Sequence, residues 1–128
     1  MILNTEGSEP IYIQIARWLE TEILSGNIEE NQKIYSQYQL AEMFTINPAT
    51  AAKGLTMLAD ENVLYKKRGL GMFVSPDARE AIRMKRKEQI LKTLVTELVL
   101  EAERLDVNEH ELLMMIRSVK VNNREDSL

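Results

Sequence analysis

The chain has 128 residues, enough for about one domain or for one small domain plus an appendage. Its composition, 45% hydrophobic and 28% charged, is typical of a soluble folded protein. It contains no cysteine and a single histidine, His110, which excludes disulfides, thiol nucleophiles and most metal or His-dependent catalytic sites. Uncharged runs fall well short of the roughly 18 apolar residues of a membrane span, and residues 1–6 do not resemble a signal peptide. We therefore expect a cytoplasmic protein that binds no metal, cofactor or membrane and is not an enzyme.

The net charge of −4 is unevenly distributed along the chain. Residues 1–52 carry two basic and seven acidic side chains, and residues 93–128 carry four basic and eight acidic ones. Residues 53–92, in contrast, carry ten basic and five acidic side chains. Because the local field decides whether a polyanion is attracted, the middle segment is a candidate nucleic-acid-binding region.

Two helices are predicted before residue 45. Apolar residues at steps of three and four over 11–25 indicate an amphipathic helix that begins after Pro10 and ends at Gly26. Ser36 followed by Gln39 is a capping-box pattern, so a second helix of about two turns begins there.

A third helix is predicted from Pro48 to about Glu61. Asn47 is a favoured N-cap, Pro48 suits the first helical position, and Asn62 suits a left-handed end. Gly54 is a weakness of about 0.5–1 kcal/mol relative to alanine. The outward face of this helix is expected to carry Asn47, Ala49, Thr50, Lys53 and Thr56.

A β-hairpin is predicted after the third helix. Residues 63–67 and 72–75 are strand candidates around 68–71, where Gly69 and Gly71 permit a tight turn. Because two strands alone are marginally stable, the hairpin must pack on the helices.

The rest of the chain is predicted to be helical. A long helix opens at residues 75–77 and extends to about Leu105, and Asn108 with Glu111 marks the start of a last helix. Residues 122–128 are expected to form a flexible tail.

This order of elements is that of a winged helix-turn-helix, in which the second helix of the pair is presented outward. The predicted fold is mostly α (α+β), with a winged helix-turn-helix and a two-helix C-terminal dimerisation extension. We expect a flexible N-terminus at 1–9, the DNA-binding domain at 10–75, the helical dimerisation region at 76–121 and the tail at 122–128.

Residues 10–75 also resemble the DNA-binding domain of GntR-family bacterial regulators. The specific parts are Asn47-Pro48-Ala49-Thr50 and Arg68-Gly69-Leu70-Gly71-Met72-Phe73-Val74, and Ile34-Tyr35-Ser36-Gln37-Tyr38-Gln39-Leu40-Ala41 fits as well. The short helical extension is similar to that of the YtrA-like subfamily. The resemblance implies a homodimeric transcriptional regulator, usually a repressor, that binds a palindromic operator, often of a membrane-transporter operon.

The sequence departs from the family pattern at three positions. Tyr35 stands where the family has proline, Tyr38 where it has a basic residue, and Leu70 where the wing tip is usually basic or polar. Tyr38 can still donate to phosphate, but the missing cation is expected to weaken general affinity for DNA.

The predicted DNA contacts lie on three elements. The start of the third helix enters the major groove, the start of the second helix donates to phosphates, and the hairpin lies along the backbone or the minor groove. The predicted contact residues are Ser36, Gln37, Tyr38, Asn47, Ala49, Thr50, Lys53, Lys66, Lys67, Arg68, Gly69 and Gly71.

The two C-terminal helices carry apolar stripes that they cannot bury against each other alone, which predicts a partner copy. The predicted dimer interface consists of Leu91, Leu94, Val95, Leu98, Ala102, Leu105, Leu112, Met115, Ile116 and Val119.

Some interpretations stay open at this level. The basic residues of segment 79–87 either flank phosphates or keep an exposed helix soluble. A different class of function, a winged-helix protein–protein interaction module with acidic flanks for a basic partner, does not need the Lys66-Lys67-Arg68 hairpin with its paired glycines. A small-molecule effector at a dimer seam is compatible with the sequence, which identifies none.

Overall fold

The computed structural model describes residues 3, 7 and 9–126 and divides the chain into two compact units, Met1–Lys85 and Arg86–Leu128. The secondary-structure elements, in chain order, are α1 (Ile11–Leu24), α2 (Gln37–Phe44), α3 (Pro48–Asp60), β1 (Leu64–Lys67), β2 (Gly71–Val74), α4 (Ala78–Arg86), a π-helical turn (Lys87–Leu91), α5 (Lys92–Arg104) and α6 (Glu109–Asp126). Of the predicted flexible N-terminus, residues 1, 2, 4–6 and 8 lie outside the described residues.

The core of the first unit lies between α1, α2, α3 and the hairpin. The residues that build it are apolar and fully or almost fully buried: Ile15, Leu19, Ile23, Leu40, Ala51, Leu55, Leu58, Val63, Leu64 and Val74. Trp18 packs at the edge of this core, with its ring centroid 5.0 Å from that of Phe44 and 6.2 Å from that of Tyr35. The predicted apolar stripe of α1 is therefore a packing face.

The predicted helix starts are confirmed by their hydrogen bonds. Ser36 Oγ accepts from the backbone N–H of Gln39 (3.1 Å) while Gln39 Oε1 accepts from that of Ser36 (2.8 Å), which is a complete capping box. Asn47 Oδ1 accepts from the N–H of Ala49 (2.8 Å), and Pro48 occupies the first helical position. Thr45, at φ 54°, ends α2 and turns the chain into α3.

Gly54 is explained by helix packing, although glycine has a low helix propensity. It is buried where α3 crosses α1, and a Cβ at this position would lie 2.9 Å from the backbone carbonyl oxygen of Tyr12. The absence of a side chain therefore lets α1 and α3 approach closely. The glycine that lowers the helix propensity of α3 is thus needed for the packing of the two helices.

The hairpin is an antiparallel pair in the register Leu64↔Val74, Tyr65↔Phe73, Lys66↔Met72 and Lys67↔Gly71. Residues 31–34 pair with β2 as well, since Asn31 N–H donates to the Val74 carbonyl (2.7 Å) and Ile34 N–H to that of Met72 (2.9 Å). This added segment anchors the wing directly before α2.

The first part of α4 belongs to the first unit, which places the division of the chain after Lys85 rather than at the predicted boundary after residue 75. Ala78 and Ile82 are completely buried in the core of that unit. Arg79 Nε donates to the Ile23 carbonyl (3.2 Å), and Lys85 Nζ lies 2.7 Å from Glu20 Oε2 and 2.5 Å from Glu61 Oε2. Arg79 and Lys85 therefore attach α4 to the first unit. For these two cations, neither a phosphate contact nor the solubility of an exposed helix is the observed role.

The second unit consists of the π-helical turn, α5 and α6. Ala102 is buried, and Val107 N–H donates to its carbonyl (2.9 Å) where the chain turns between the helices. Asn108 caps α6 by accepting from Glu111 N–H (2.9 Å), as predicted. Residues 122–126, which were predicted as part of a flexible tail, continue α6, and 127–128 lie outside the described residues.

Candidate nucleic-acid interface

The outward face of α3 presents short side chains and one lysine. Asn47, Ala49 and Lys53 are exposed and Thr50 is half-buried. Because the side-chain oxygen Oδ1 of Asn47 caps the helix, the side-chain nitrogen Nδ2 is the group left to donate to a base or a phosphate. Lys53 Nζ lies 4.1 Å from the centroid of the Tyr12 ring, a cation–π contact that restrains the lysine beside the first turns of α3.

The start of α2 presents a second set of polar groups. Ser36 is exposed, Gln37 is half-buried, and Tyr38 has 69% of its surface exposed. The Ser36 oxygen accepts the capping hydrogen bond, so its hydroxyl hydrogen stays available as a donor. The exposed Tyr38 side chain also carries a hydroxyl donor, as expected for a phosphate contact in place of a cation.

The wing carries consecutive cations. Lys66, Lys67 and Arg68 are all exposed, at the end of β1 and in the turn that follows. Lys67 Nζ lies 4.4 Å from the ring centroid of Phe73 and 5.8 Å from that of Tyr65, and these two rings stack across the strands. The aromatic pair therefore supports the lysine on one face of the wing.

A concave surface of about 500 Å³ connects the start of α2, α3 and the wing. Five of the predicted contact residues line it: Ser36, Gln37, Tyr38, Lys66 and Gly71. Its other lining residues include Leu55, Thr56 and Met72, which form an apolar floor with one hydroxyl. The remaining predicted contact residues, Asn47, Ala49, Thr50, Lys53, Lys67, Arg68 and Gly69, are not part of this lining.

The sequence reasoning missed two residues at the candidate interface. Lys33 lines the concave surface, and its Cε lies 3.1 Å from the position a Cβ would take at Gly71. Tyr12 contacts Lys53 although it belongs to α1. Lys33 lies three residues before the Ser36 cap, and this position could have indicated that it lies near the start of α2. Nothing in the local sequence around Tyr12 indicated that it contacts Lys53.

Two other kinds of site find no support within the part of the chain that the structure describes. No group of three or more His, Cys, Asp or Glu side chains is arranged to hold a metal ion. In residues 9–126, no helix has both the length and the apolar character needed to cross a bilayer.

Comparison with known proteins, like the geometry, indicates a DNA-binding regulator. The family described as bacterial regulatory proteins, gntR family, matches residues 11–74. The HTH-type transcriptional repressor NagR of Bacillus subtilis is 34% identical over 84 residues, which are 65% of this chain and 35% of NagR, so the chain spans about a third of that relative. The HTH-type transcriptional repressor YtrA of Bacillus subtilis is 25% identical over 120 residues, 94% of this chain and 92% of YtrA.

Two solved structures are informative. A transcriptional regulator of the GntR family from Bacteroides thetaiotaomicron superposes with a TM-score of 0.77 at 32% identity, over 88% of this chain and 98% of that one. This match confirms the predicted winged-helix fold with a helical C-terminal region. The AraR DNA-binding domain in complex with its operator ORX1 matches 59% of this chain and 93% of its own, with a TM-score of 0.53 and 26% identity.

Proposed function

The chain belongs to the gntR family of bacterial regulatory proteins, and on that premise we propose that it is a homodimeric, sequence-specific repressor that binds a palindromic operator. Its relatives are transcriptional regulators and not enzymes. YtrA is a named repressor that aligns along almost its whole length, which supports repression as the mode of action. The resemblance to the YtrA-like subfamily extends the proposal to an operon for a membrane transporter and to action in the cytoplasm.

The observation that carries DNA binding is the convergence of three elements on one surface of the first unit. The start of α2, the later turns of α3 (Leu55, Thr56 and Ala59) and the strands of the wing line one concavity, to which Lys33 and Lys66 contribute cations. A protein–protein module needs no such combination of hydroxyl donors and cations, whereas proteins contact the DNA backbone through both kinds of group. AraR, a structural neighbour, is seen bound to operator DNA through the corresponding domain.

In the proposed complex each contact has a separate task. The first turn of α3 enters the major groove, where Thr50 and the Asn47 amide nitrogen donate to base edges. Ser36 and Tyr38 donate to phosphates and fix the register, while Lys67 and Arg68 supply charge along the backbone. Specificity therefore depends on few and short side chains.

The second unit supports a second copy of the chain as partner. Eight of the ten predicted interface residues have 37–66% of their surface exposed: Leu91, Leu94, Val95, Leu98, Leu105, Met115, Ile116 and Val119. The other two are less exposed, since Ala102 is buried and Leu112 is half-buried. Six further apolar side chains of this unit are exposed as well: Ile90, Val99, Leu100, Leu113, Met114 and Val121. A self-complementary helical interface would bury this surface, and a two-fold dimer matches a palindrome.

Titration of labelled duplex with the purified chain at several salt concentrations tests the proposal. We expect tight binding at low ionic strength and a steep loss with salt. Replacing both Lys67 and Arg68 by alanine is expected to weaken binding to all sequences and to lower the salt slope by about 0.9 for each phosphate that the variant no longer neutralises. Lys120→Ala, which removes an exposed cation of the second unit, is the matched control. A chain that binds no duplex, or a control that loses as much affinity as the double variant, would overturn DNA binding by the wing.

A further inference from the structure

The tip of the wing carries an apolar side chain in an exposed position. Leu70 has 61% of its surface exposed, and its backbone N–H donates to the Lys67 carbonyl (2.9 Å) to close the turn. Gly69 at φ 78° and Gly71 at φ 107° flank it, and both adopt a backbone conformation that L side chains rarely take.

The glycines leave Leu70 as an isolated projection. A Cβ at Gly69 would have no heavy atom within 4 Å, so the space beside the tip is open. On the other side, Gly71 approaches the aliphatic end of Lys33 rather than the core. Leu70 itself, with 61% of its surface exposed, projects into solvent from this hydrogen-bonded turn.

The surroundings of the tip match a polyanion. Lys66, Lys67 and Arg68 precede Leu70, and the stretch from residue 62 to residue 76 contains no acidic residue. Charge of this sign on a narrow two-stranded projection brings the tip towards the phosphates of a groove. An apolar residue at the end of that projection cannot hydrogen-bond to a phosphate, but it can contact the sugars and base edges that lie between the two phosphate backbones.

We propose that Leu70 acts as an apolar wedge in the minor groove, where it packs between adjacent nucleotides, opens the step and bends the duplex. This inference rests on the proposed function. Proteins that bend DNA from the minor groove insert leucine and other apolar side chains in this way, and pyrimidine–purine steps yield most easily. Leu70 thereby adds a preference for a deformable step to the base contacts of α3.

The wedge and the neighbouring cations have separable signatures. The contribution of Lys67 and Arg68 falls with salt, because it releases counterions. The contribution of Leu70 comes from apolar burial and is independent of salt to first order. A Leu70 variant is therefore expected to shift affinity equally at all salt concentrations.

The experiment compares the native chain with Leu70→Ser and Met84→Ser on one duplex obtained by selection from a random pool and labelled at both ends with a fluorescence energy-transfer pair. Met84 is the matched control, because it too is an apolar side chain with 61% of its surface exposed, but it lies on α4. We expect Leu70→Ser to bind about tenfold more weakly with an unchanged salt slope and to lose most of the bend. Met84→Ser is expected to retain both affinity and bend.

Three results would overturn the wedge. One is native affinity and bend in Leu70→Ser, another is an equal loss in Met84→Ser, and the third is a fall in the salt slope as large as that of the Lys67 and Arg68 variant. A native chain that binds no duplex would overturn the proposed function together with the wedge, so the two failures are distinguishable.

Discussion

Glu20 lies on α1 with only 3% of its surface exposed, and its charge is compensated by Lys85 from α4. Burial alone would lower the pKa of Lys85, but the hydrogen bonds and charges of Glu20 and Glu61 outweigh it, so that this pKa is raised. The lysine thus joins α1, the end of α3 and α4 through one nitrogen atom. At the scale of single residues, this ion-pair network is the polar contact that adds to the buried Ala78 and Ile82 in attaching α4 to the first unit.

Lys85→Met is expected to destabilise the first unit by about 3–5 kcal/mol, because it leaves a buried carboxylate without its cation. Urea denaturation followed by circular dichroism measures the change in the free energy of unfolding. Lys87→Met removes a nearby exposed cation and is expected to change stability by less than about 0.5 kcal/mol. Equal midpoints for the native chain and Lys85→Met would contradict this role of the network.

The raised pKa of Lys85 also predicts a dependence of stability on pH. A lysine whose pKa is higher in the folded state stabilises the fold fully below its unfolded value of about 10.4, and this contribution is lost as pH rises through the folded value. The difference in unfolding free energy between the native chain and Lys85→Met should therefore be constant from pH 7 to 9 and narrow above about pH 10.4. Urea titrations across this range test it, and a difference that narrows below pH 9 would contradict the direction of the shift.

At the scale of elements, the N-cap residue of α3 combines two functions. Asn47 caps the helix through its side-chain oxygen Oδ1 and is proposed to contact DNA through its side-chain nitrogen Nδ2. The two functions can be separated, because serine is also a favoured N-cap but lacks the amide.

Asn47→Ser is expected to keep the unfolding free energy within about 0.5 kcal/mol while it relaxes base preference at one operator position by up to about tenfold. Thr50→Ala, in the first turn of the same helix, is the companion change and is expected to relax a different position. Fluorescence anisotropy on duplexes with single base-pair changes measures both. A uniform loss of affinity on all duplexes would assign these residues to the backbone instead of to the bases.

The elements show why some features could be read from the sequence and others could not. The caps at Ser36 and Asn47 and the left-handed Asn62 depend on neighbours within a few residues, so local pattern was sufficient. The cation–π contact of Lys53 and the buried pair of Lys85 depend on which helices pack together, which no local pattern encodes. The same reason explains the domain boundary, because the burial of Ala78 and Ile82 is a tertiary contact, and the end of α6, where polar composition indicated a tail.

At the scale of the whole molecule, the proposed function requires two copies of the chain. The first unit has a buried core of its own, whereas α5 and α6 leave most of their apolar residues exposed. The charge pattern fits this division, since the cations that are proposed to contact DNA lie in the middle of the chain and the last third is acidic.

Leu98→Glu is expected to convert the dimer to monomers, because it places a charge within the apolar face of α5, where Leu98 is 42% exposed in the single chain. Sedimentation velocity measures the change in mass. Met43→Glu alters a similarly exposed apolar residue of α2 and is expected to leave the dimer intact. An unchanged sedimentation coefficient for Leu98→Glu would place the interface elsewhere.

Selection of bound duplexes from a random pool by the full chain tests whether a dimer binds an inverted repeat. We expect an enriched inverted repeat whose half-sites are separated by about one helical turn of 10–10.5 base pairs or a multiple of it, and we expect Leu98→Glu to enrich single half-sites. A pool that shows no enrichment at low ionic strength, or one that yields an asymmetric single site for the native chain, would contradict this expectation.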